Sequence, residues 1–276
     1  MISTEKMNQI KEIDTHDRLI HIQSGVTLGQ LNSALSTHGL CLPINANPKE
    51  TIGSLIANCP TDSHAAFFGG IMSYIERIEV ILPDGSCIQT LPLKKTSLVK
   101  KQSSDNLEGK IYREVDRIID ENNNLMQELL AVQDLSGYPS ISRCYQDDDK
   151  TFDLLPIFYG SQGTLGVITE VILKVEVIPS RPCKIIAAFN TIEAAMEAFL
   201  TAKGLNPLEL LFFDSEIFKR ASESGKEPTL FPVKFLNKKY LMEASFKSSR
   251  MNNSKLQEFF ETLPKTARIK IDGQEE

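Results

Sequence analysis

The segment Gly160 to Thr169, GSQGTLGVIT, runs without a break into EVILKVEVI. Glycines at positions 160, 163 and 166 need no room for a Cβ, so the backbone can take positive φ or lie close against another surface. Val167, Thr169, Val171, Leu173, Val175 and Val177 then alternate at period two, which predicts one long strand finishing at Pro179. A turn of this kind can present backbone N–H groups to a flat or anionic ligand, and it can equally be a plain tight turn entering a strand.

A second segment, PINANPKETIGSLIAN from Pro43 to Asn58, leads two prolines and a polar stretch into Thr51, Ile52 and Gly53, with Leu55, Ile56 and Ala57 as an apolar face. This predicts a loop opening a short helix capped by Thr51, whose first N–H groups would suit a phosphate or a ring oxygen. Between and before these segments lie ordinary packing signals. Leu19 to Gln23 alternates as a strand, Thr27 and Gln30 have capping-box spacing, and Leu28, Leu31 and Leu35 share one helical face ended by Gly39. Ile78, Val80 and Leu82 alternate toward the Pro83, Asp84, Gly85 turn, with Cys87 to Leu91 as the returning strand. The polar, lysine-rich stretch Leu93 to Asn106 is expected to be a loop, and Leu107 to Leu130 one long amphipathic helix.

Ordered in this way, four stretches resemble the FAD-linked oxidases related to vanillyl-alcohol oxidase, a family with a PCMH-type FAD-binding domain. They are SGVTLGQLNSAL at Ser24 to Leu35, TIGSLIAN at Thr51 to Asn58, IERIEVILPDG at Ile75 to Gly85, and GSQGTLGVIT. The family counterparts read roughly GVTLGELN, TIGG-A-N, a strand ending in PDG, and GSEGTLGIIT. Four matches in order are far more specific than one glycine pattern. The family includes D-lactate and 2-hydroxyglutarate dehydrogenases and the glycolate oxidase flavin subunit. Within it, the predicted long helix followed by Ser136, Gly137 and Tyr138 is similar to the branch with an insertion before the last glycine loop.

The resemblance covers about Ile2 to Pro179 and implies an α+β fold: a FAD-binding domain over residues 1–180, then the start of a ferredoxin-like cap over 181–276. Strand, helix, strand, strand and helix patterns at Lys184–Phe189, Asn190 onward, Leu208–Phe213, Tyr240–Phe246 and Ser254–Leu263 fit that cap. Asn190 is the expected cap of its helix, and Ile192, Ala195, Met196 and Phe199 its expected buried face. The implied cofactor is FAD. Pro43, Thr51, Ile52, Gly53, Ala57 and Asn58 would run along the pyrophosphate and flavin ring, Gly163 would let the ligand approach the glycine loop, and the Val167 or Ile168 backbone would lie near the adenine. The implied activity is hydride transfer from a small 2-hydroxy acid to flavin. The alternative is a non-catalytic remnant or interaction subunit that binds no flavin alone.

Departures from the family pattern fall at Ser54, which replaces a glycine, after Asn58, where no glycine follows, and at Gln162, which replaces a carboxylate. Against the family pattern the chain is expected to begin downstream of an Arg-Gly-rich pyrophosphate loop and to stop before the cap and a His-rich metal motif are complete. A second polypeptide is the expected supplier of those parts. His16, His21, His38 and His64 do not reproduce the metal motif, and no metal is expected; His64 alone stands where a ring-proximal group could sit.

Composition bounds the partners. Thirty Lys and Arg against thirty-six Asp and Glu, a net charge of −6, argue against a nucleic acid. Lys94, Lys95, Lys100 and Lys101 form a local basic patch that could touch an anionic lipid surface, and the acidic run Asp147 to Asp149 is expected to be solvated. Five cysteines at scattered spacing, 41, 59, 87, 144 and 183, fit reduced thiols, with Cys59 a small buried residue. The charged N-terminus and the lack of a long apolar run lead to an expected cytoplasmic location, with peripheral membrane contact through the basic patch as a variant.

Overall fold

The computed structural model describes residues 3–131, 141–146, 151–178, 182–217, 220, 235, 237–247, 254–265 and 268–271. The chain is mixed α and β and forms two compact units: Met1–Thr61 with Gly70–Val177, and Asp62–Gly69 with Ile178–Glu276.

In the first unit, β1 (Ile10–Asp14) and β2 (Leu19–Gln23) form a hairpin. Its turn is closed by the Asp14 carboxylate, which accepts the N–H groups of His16 and Asp17 at 2.9 and 3.0 Å. Thr27 and Gln30 make the full capping box of α1 (Leu28–Ser36), and Leu28, Leu31 and Leu35 are buried. After the short β3 (Leu40–Cys41) comes α2 (Ile52–Asn58), capped by the Thr51 hydroxyl. The chain contributes α3 (Ala65–Phe68) to the second unit and then returns as β4 (Ile75–Ile81) and β5 (Cys87–Gln89), joined through Gly85 at φ 84°.

Leu93 to Asn106 is not a loop. It holds β6 (Leu93–Lys94) and α4 (Lys95–Gln102), anchored by buried Leu98. The expected long helix is two, α5 (Leu107–Glu121) and α6 (Asn123–Leu130), broken at Asn122. There the Asn122 side-chain amide donates to the Ile118 carbonyl at 2.8 Å and its own N–H turns to Ile119, a local competition with the helix that short amides favour. A small sheet of β7 (Tyr145–Gln146) and β8 (Thr151–Phe152) with β6, and the single-turn α7 (Leu155–Phe158), complete this insertion. Ser136 to Tyr138 and Asp147 to Asp149 lie outside the described residues.

The last long strand, β9 (Val167–Lys174), sits at the centre of an antiparallel sheet ordered β1-β2-β9-β4-β5. Its period two is interrupted: Glu79 pairs Glu170 while Val80 pairs Ile168, so Thr169 is an extra residue that bulges the strand. Nor does it run on to Val177 in the same sheet. β2 begins opposite Lys174, and beyond it the chain departs as β10 (Glu176–Val177) to pair with β3. Ile20, Ile22, Ile78, Val80, Val171 and Leu173 form the buried side, together with Ile52, Leu55 and Ile56 from α2.

The second unit has a four-stranded antiparallel sheet ordered β12-β13-β11-β14, from β11 (Cys183–Phe189), β12 (Glu209–Asp214), β13 (Tyr240–Phe246) and β14 (Arg268–Ile271). α8 (Ile192–Gly204) follows β11 and α9 (Ser254–Thr262) follows β13. The cap of α8 is Thr191 rather than Asn190, because its hydroxyl accepts the Ala194 N–H. Its buried face keeps Ala195 and the packed Phe199 of the expected one but not the other two. Ala195, Ala198 and Ala202 press against the sheet, whereas Ile192 and Met196 are exposed; alanines let the helix backbone come close where larger side chains would hold it off. Ala202→Leu is therefore expected to cost about 1–3 kcal/mol by overpacking, while Leu200→Ala on the exposed side stays within about 0.5 kcal/mol; denaturant unfolding of the two variants checks this.

Candidate functional site

The two motif segments meet through the backbone. Gly160 N–H donates to the Ile56 carbonyl at 2.9 Å, and Gln162 N–H donates to the Ala57 carbonyl at 2.9 Å, so the glycine loop satisfies the C-terminal end of α2. Gly160, Gln162 and Gly163 all take positive φ, at 72°, 52° and 75°. The Gln162 side chain is exposed, and its backbone amide makes the contact, which is why an amide in place of the family carboxylate leaves the loop intact. Cys59, buried and left-handed at φ 43°, ends α2 and gives its thiol to the Ile56 carbonyl. Burial pushes that thiol up to about 12.

The other end of α2 is tied to the strand-to-helix turn after β2. Ile52 N–H donates to Val26 at 2.9 Å, Gly53 N–H to Ser24 at 2.8 Å, and Ser54 N–H to the Thr51 hydroxyl. The leading amides of the helix are thus already used, and they are not free for a phosphate as the loop-to-helix pattern led one to expect. A Cβ on Gly53 would come 2.9 Å from the Ser24 Cβ, so this glycine serves the close approach of α2 to that turn. Ser54 finds room as well: its hydroxyl donates to Glu50 at 3.1 Å and accepts from the Asn58 amide at 3.2 Å, on the polar side of the helix.

Between these segments lies a groove of about 320 Å³, lined by Thr4, Ser24, Gly53, Ala57, Phe158, Ser161, Gly163, Gly166, Val167 and Ile168. Of the residues expected from the sequence, Gly53, Ala57, Gly163, Val167 and Ile168 converge here. Pro43 is buried away from the lining, Thr51 works as a cap, Ile52 is fully buried in the core, and Asn58 is exposed beside Ser54. The lining contains no charged side chain. Ser24, Phe158 and Ser161 were not singled out by sequence reasoning, although Ser24 opens the SGVTLGQL motif directly after β2. The Ser24 hydroxyl is buried and has no hydrogen-bond partner.

Gly163 and Gly166 do different work. A Cβ on Gly163 meets nothing within 4 Å, so it would project into open space at the groove. On Gly166 it would fall 2.5 Å from Val80 Cγ1 and 2.8 Å from the Ile81 carbonyl. His64 belongs to the second unit, where its Nε2 is 4.0 Å from Glu209 and Ser63 donates to the same carboxylate at 2.5 Å. His21 instead bonds Glu170 at 2.7 Å on the polar side of the central sheet, and with Lys11 it holds the Glu170 carboxyl below its usual range. A second cavity of about 360 Å³ beside α4, α5 and α6 has its Asp116 already bonded by Gln102 and Tyr145. Among the described residues no group of His, Cys, Asp and Glu is placed to hold a metal, and no helix is long and apolar enough to cross a membrane.

A glycine-lined, uncharged groove thus lies between the two motif segments, backed by a bulged strand. Residues 1–91 of the chain match the FAD binding domain family. It is 24% identical over 225 residues to D-2-hydroxyglutarate dehydrogenase of Pseudomonas putida, covering 78% of this chain and 22% of that protein. It is 28% identical over 237 residues to the mitochondrial D-lactate dehydrogenase (cytochrome) 1 of Saccharomyces cerevisiae, covering 82% and 31%. With D-lactate dehydrogenase of Archaeoglobus fulgidus the identity is 28% over 231 residues, covering 82% and 39%. The chain therefore spans roughly a fifth to two fifths of the length of these relatives. A solved structure of alkyldihydroxyacetonephosphate synthase superposes with a TM-score of 0.61 at 17% identity, over 96% of this chain and 42% of that one, which shows a shared fold.

Gly166→Ala is expected to lower stability by about 1–3 kcal/mol through overpacking against β4, whereas Gly163→Ala should spare the fold apart from the local φ penalty and obstruct the groove; chemical denaturation separates them. In the folded protein at pH 8, exposed Cys87 should be alkylated by iodoacetamide while Cys59 and buried Cys144, both pushed up to about 12, stay unmodified until unfolding, as peptide mass spectrometry would show.

Proposed function

We propose that the chain holds FAD in the groove between α2 and the 160–166 loop and takes part in oxidising a small 2-hydroxy acid of the D-lactate, glycolate or 2-hydroxyglutarate type. The observation that carries this reading is the convergence of Gly53, Ala57, Gly163, Val167 and Ile168 on one groove, with the two motifs hydrogen-bonded to each other. The groove suits the flat, uncharged part of a flavin nucleotide. Gly163 leaves open space where a side chain would stand, and Ser24 carries an unsatisfied hydroxyl. Bound there, FAD would supply the hydride acceptor. The chain's own part is to orient the cofactor between backbone and apolar side chains and to keep water from its buried side.

In the same reading the second unit is the ferredoxin-like start of a substrate-covering cap, supported by its strand order and by the placement of α8 and α9 after β11 and β13. One observation favours a further element. The leading amides of α2 are consumed and the groove lining has no cation, so neither supplies partners for the pyrophosphate. A second polypeptide is our proposal for their source, and a chain that binds flavin only beside such a partner is the second reading.

Mixing the purified chain with FAD, removing free cofactor by gel filtration and recording the visible spectrum tests this directly. A retained, near-stoichiometric flavin band that bleaches anaerobically with D-lactate, glycolate or D-2-hydroxyglutarate is the expected result. A colourless protein would reject autonomous binding, and a stable flavin band unbleached by any of the three would reject the substrate class.

A further inference from the structure

The cavity of about 360 Å³ beside α4, α5 and α6 shares no lining residue with the groove and has no part in the flavin reading. We propose that it binds a small organic cation, a primary ammonium group carried on an apolar body, and that Asp116 and Asp120 hold the ammonium.

Both aspartates line the cavity, one helical turn apart on α5. Like charges at that spacing repel each other until a cation comes between them. Asp116 is held in place: the Gln102 side-chain amide donates to its Oδ2 at 2.6 Å and the Tyr145 hydroxyl to its Oδ1 at 2.5 Å. These donors are neutral, so they orient the carboxylate without cancelling its charge, and each oxygen keeps capacity for one more N–H. Neither aspartate is in an ion pair among the described residues, and the basic groups of α4 and α5 that do have partners are turned to other ones. Lys101 pairs with Glu108, Arg117 with Glu114 and Glu121, and Arg113 donates to the Gln102 and Ser104 carbonyls.

The remaining wall says what the cation is attached to. Leu98 and Met126 of the lining are buried, whereas Val99 and Leu130 stand 57% and 47% exposed. A ligand that covers these two removes hydrocarbon from water while its charged end reaches the aspartates, the combination of apolar wall and few placed polar groups that small-molecule sites show. A hydrated metal ion would leave that hydrocarbon bare, and an anion would meet two carboxylates. A quaternary ammonium has no N–H to offer the open acceptor positions on Asp116, so a protonated amine is the better match. Lys95 is the one cation in the lining, exposed and in no ion pair among the described residues. Its presence admits two sources for the same ammonium: a plain amine, or an amino acid whose carboxylate meets Lys95.

Isothermal titration of the full chain with 2-phenylethylamine, phenylalanine and 3-phenylpropionate tests this, because the three share a ring and differ in charge. The amine should bind one to one and 3-phenylpropionate should not bind. Asp120 is exposed, so Asp120→Asn should melt as wild type does and yet bind the amine about tenfold more weakly, the loss expected for one hydrogen bond to a charged group; Asp116→Asn should show the same loss. Phenylalanine binding tighter than the amine, with the advantage gone in Lys95→Ala, would assign an amino acid; weaker binding would assign a plain amine. Equal binding of the amine and 3-phenylpropionate, an amine affinity unchanged by Asp120→Asn, or no saturable binding of either nitrogen compound to wild type would overturn the proposal. FAD retention after gel filtration should be the same in wild type and Asp120→Asn, so failure here and failure of the flavin reading are told apart.

Discussion

The short helix α2 is held at both ends by backbone hydrogen bonds from distant parts of the chain, and the groove exists because of that double attachment. Val26 and Ser24 carbonyls accept from its first turn, and the amides of Gly160 and Gln162 cover its last carbonyls. A seven-residue helix has little stability of its own. Its position is therefore set by the sheet turn before it and the glycine loop more than a hundred residues later. The positive φ values at Gly160, Gln162 and Gly163 are what allow that loop to aim two amides at one helix end.

The same economy accounts for the absence of charge in the groove. Donors that would serve a phosphate in a free helix N-terminus are spent on fixing the helix, and what is left facing the open space is backbone, methyl groups and hydroxyls.

Much of this was readable in the residues. Thr27 with Gln30, the Leu19–Gln23 strand, the Pro83–Gly85 turn and the Tyr240–Phe246 strand are set by local rules, and the structure has them where the pattern put them. The misreadings share a different cause. Asn122 splits a helix through a side-chain bond to Ile118 that no periodicity reveals. Thr169 bulges β9 because of its pairing with β4, so a strictly alternating sequence became a shifted register. Ile192 and Met196 carried more hydrophobicity than the alanines, yet the alanine stripe won the sheet because closeness, not side-chain size, decided the packing. In the groove, glycines announced themselves by type, while Ser24 and Phe158 are recognisable only once the loop and the turn are brought together. Ile52, read as a ligand contact from its motif, is a core residue whose amide is internally satisfied.

Strand order carries a consequence for how the first unit comes into being. β9 lies between β2 and β4, although it is made long after both. Until residues 167–174 have left the ribosome, β2 and β4 have no common partner, and each would expose an unpaired edge above an unfinished apolar face. Assembly thus waits on contacts separated by some ninety to one hundred and fifty residues, the kind of long-range closure that slows folding and lengthens the time a nascent chain is open to mispairing. The strand that backs the groove is also the one that ends this vulnerable interval, so a chain interrupted before it would lack the central strand of the sheet as well as the groove.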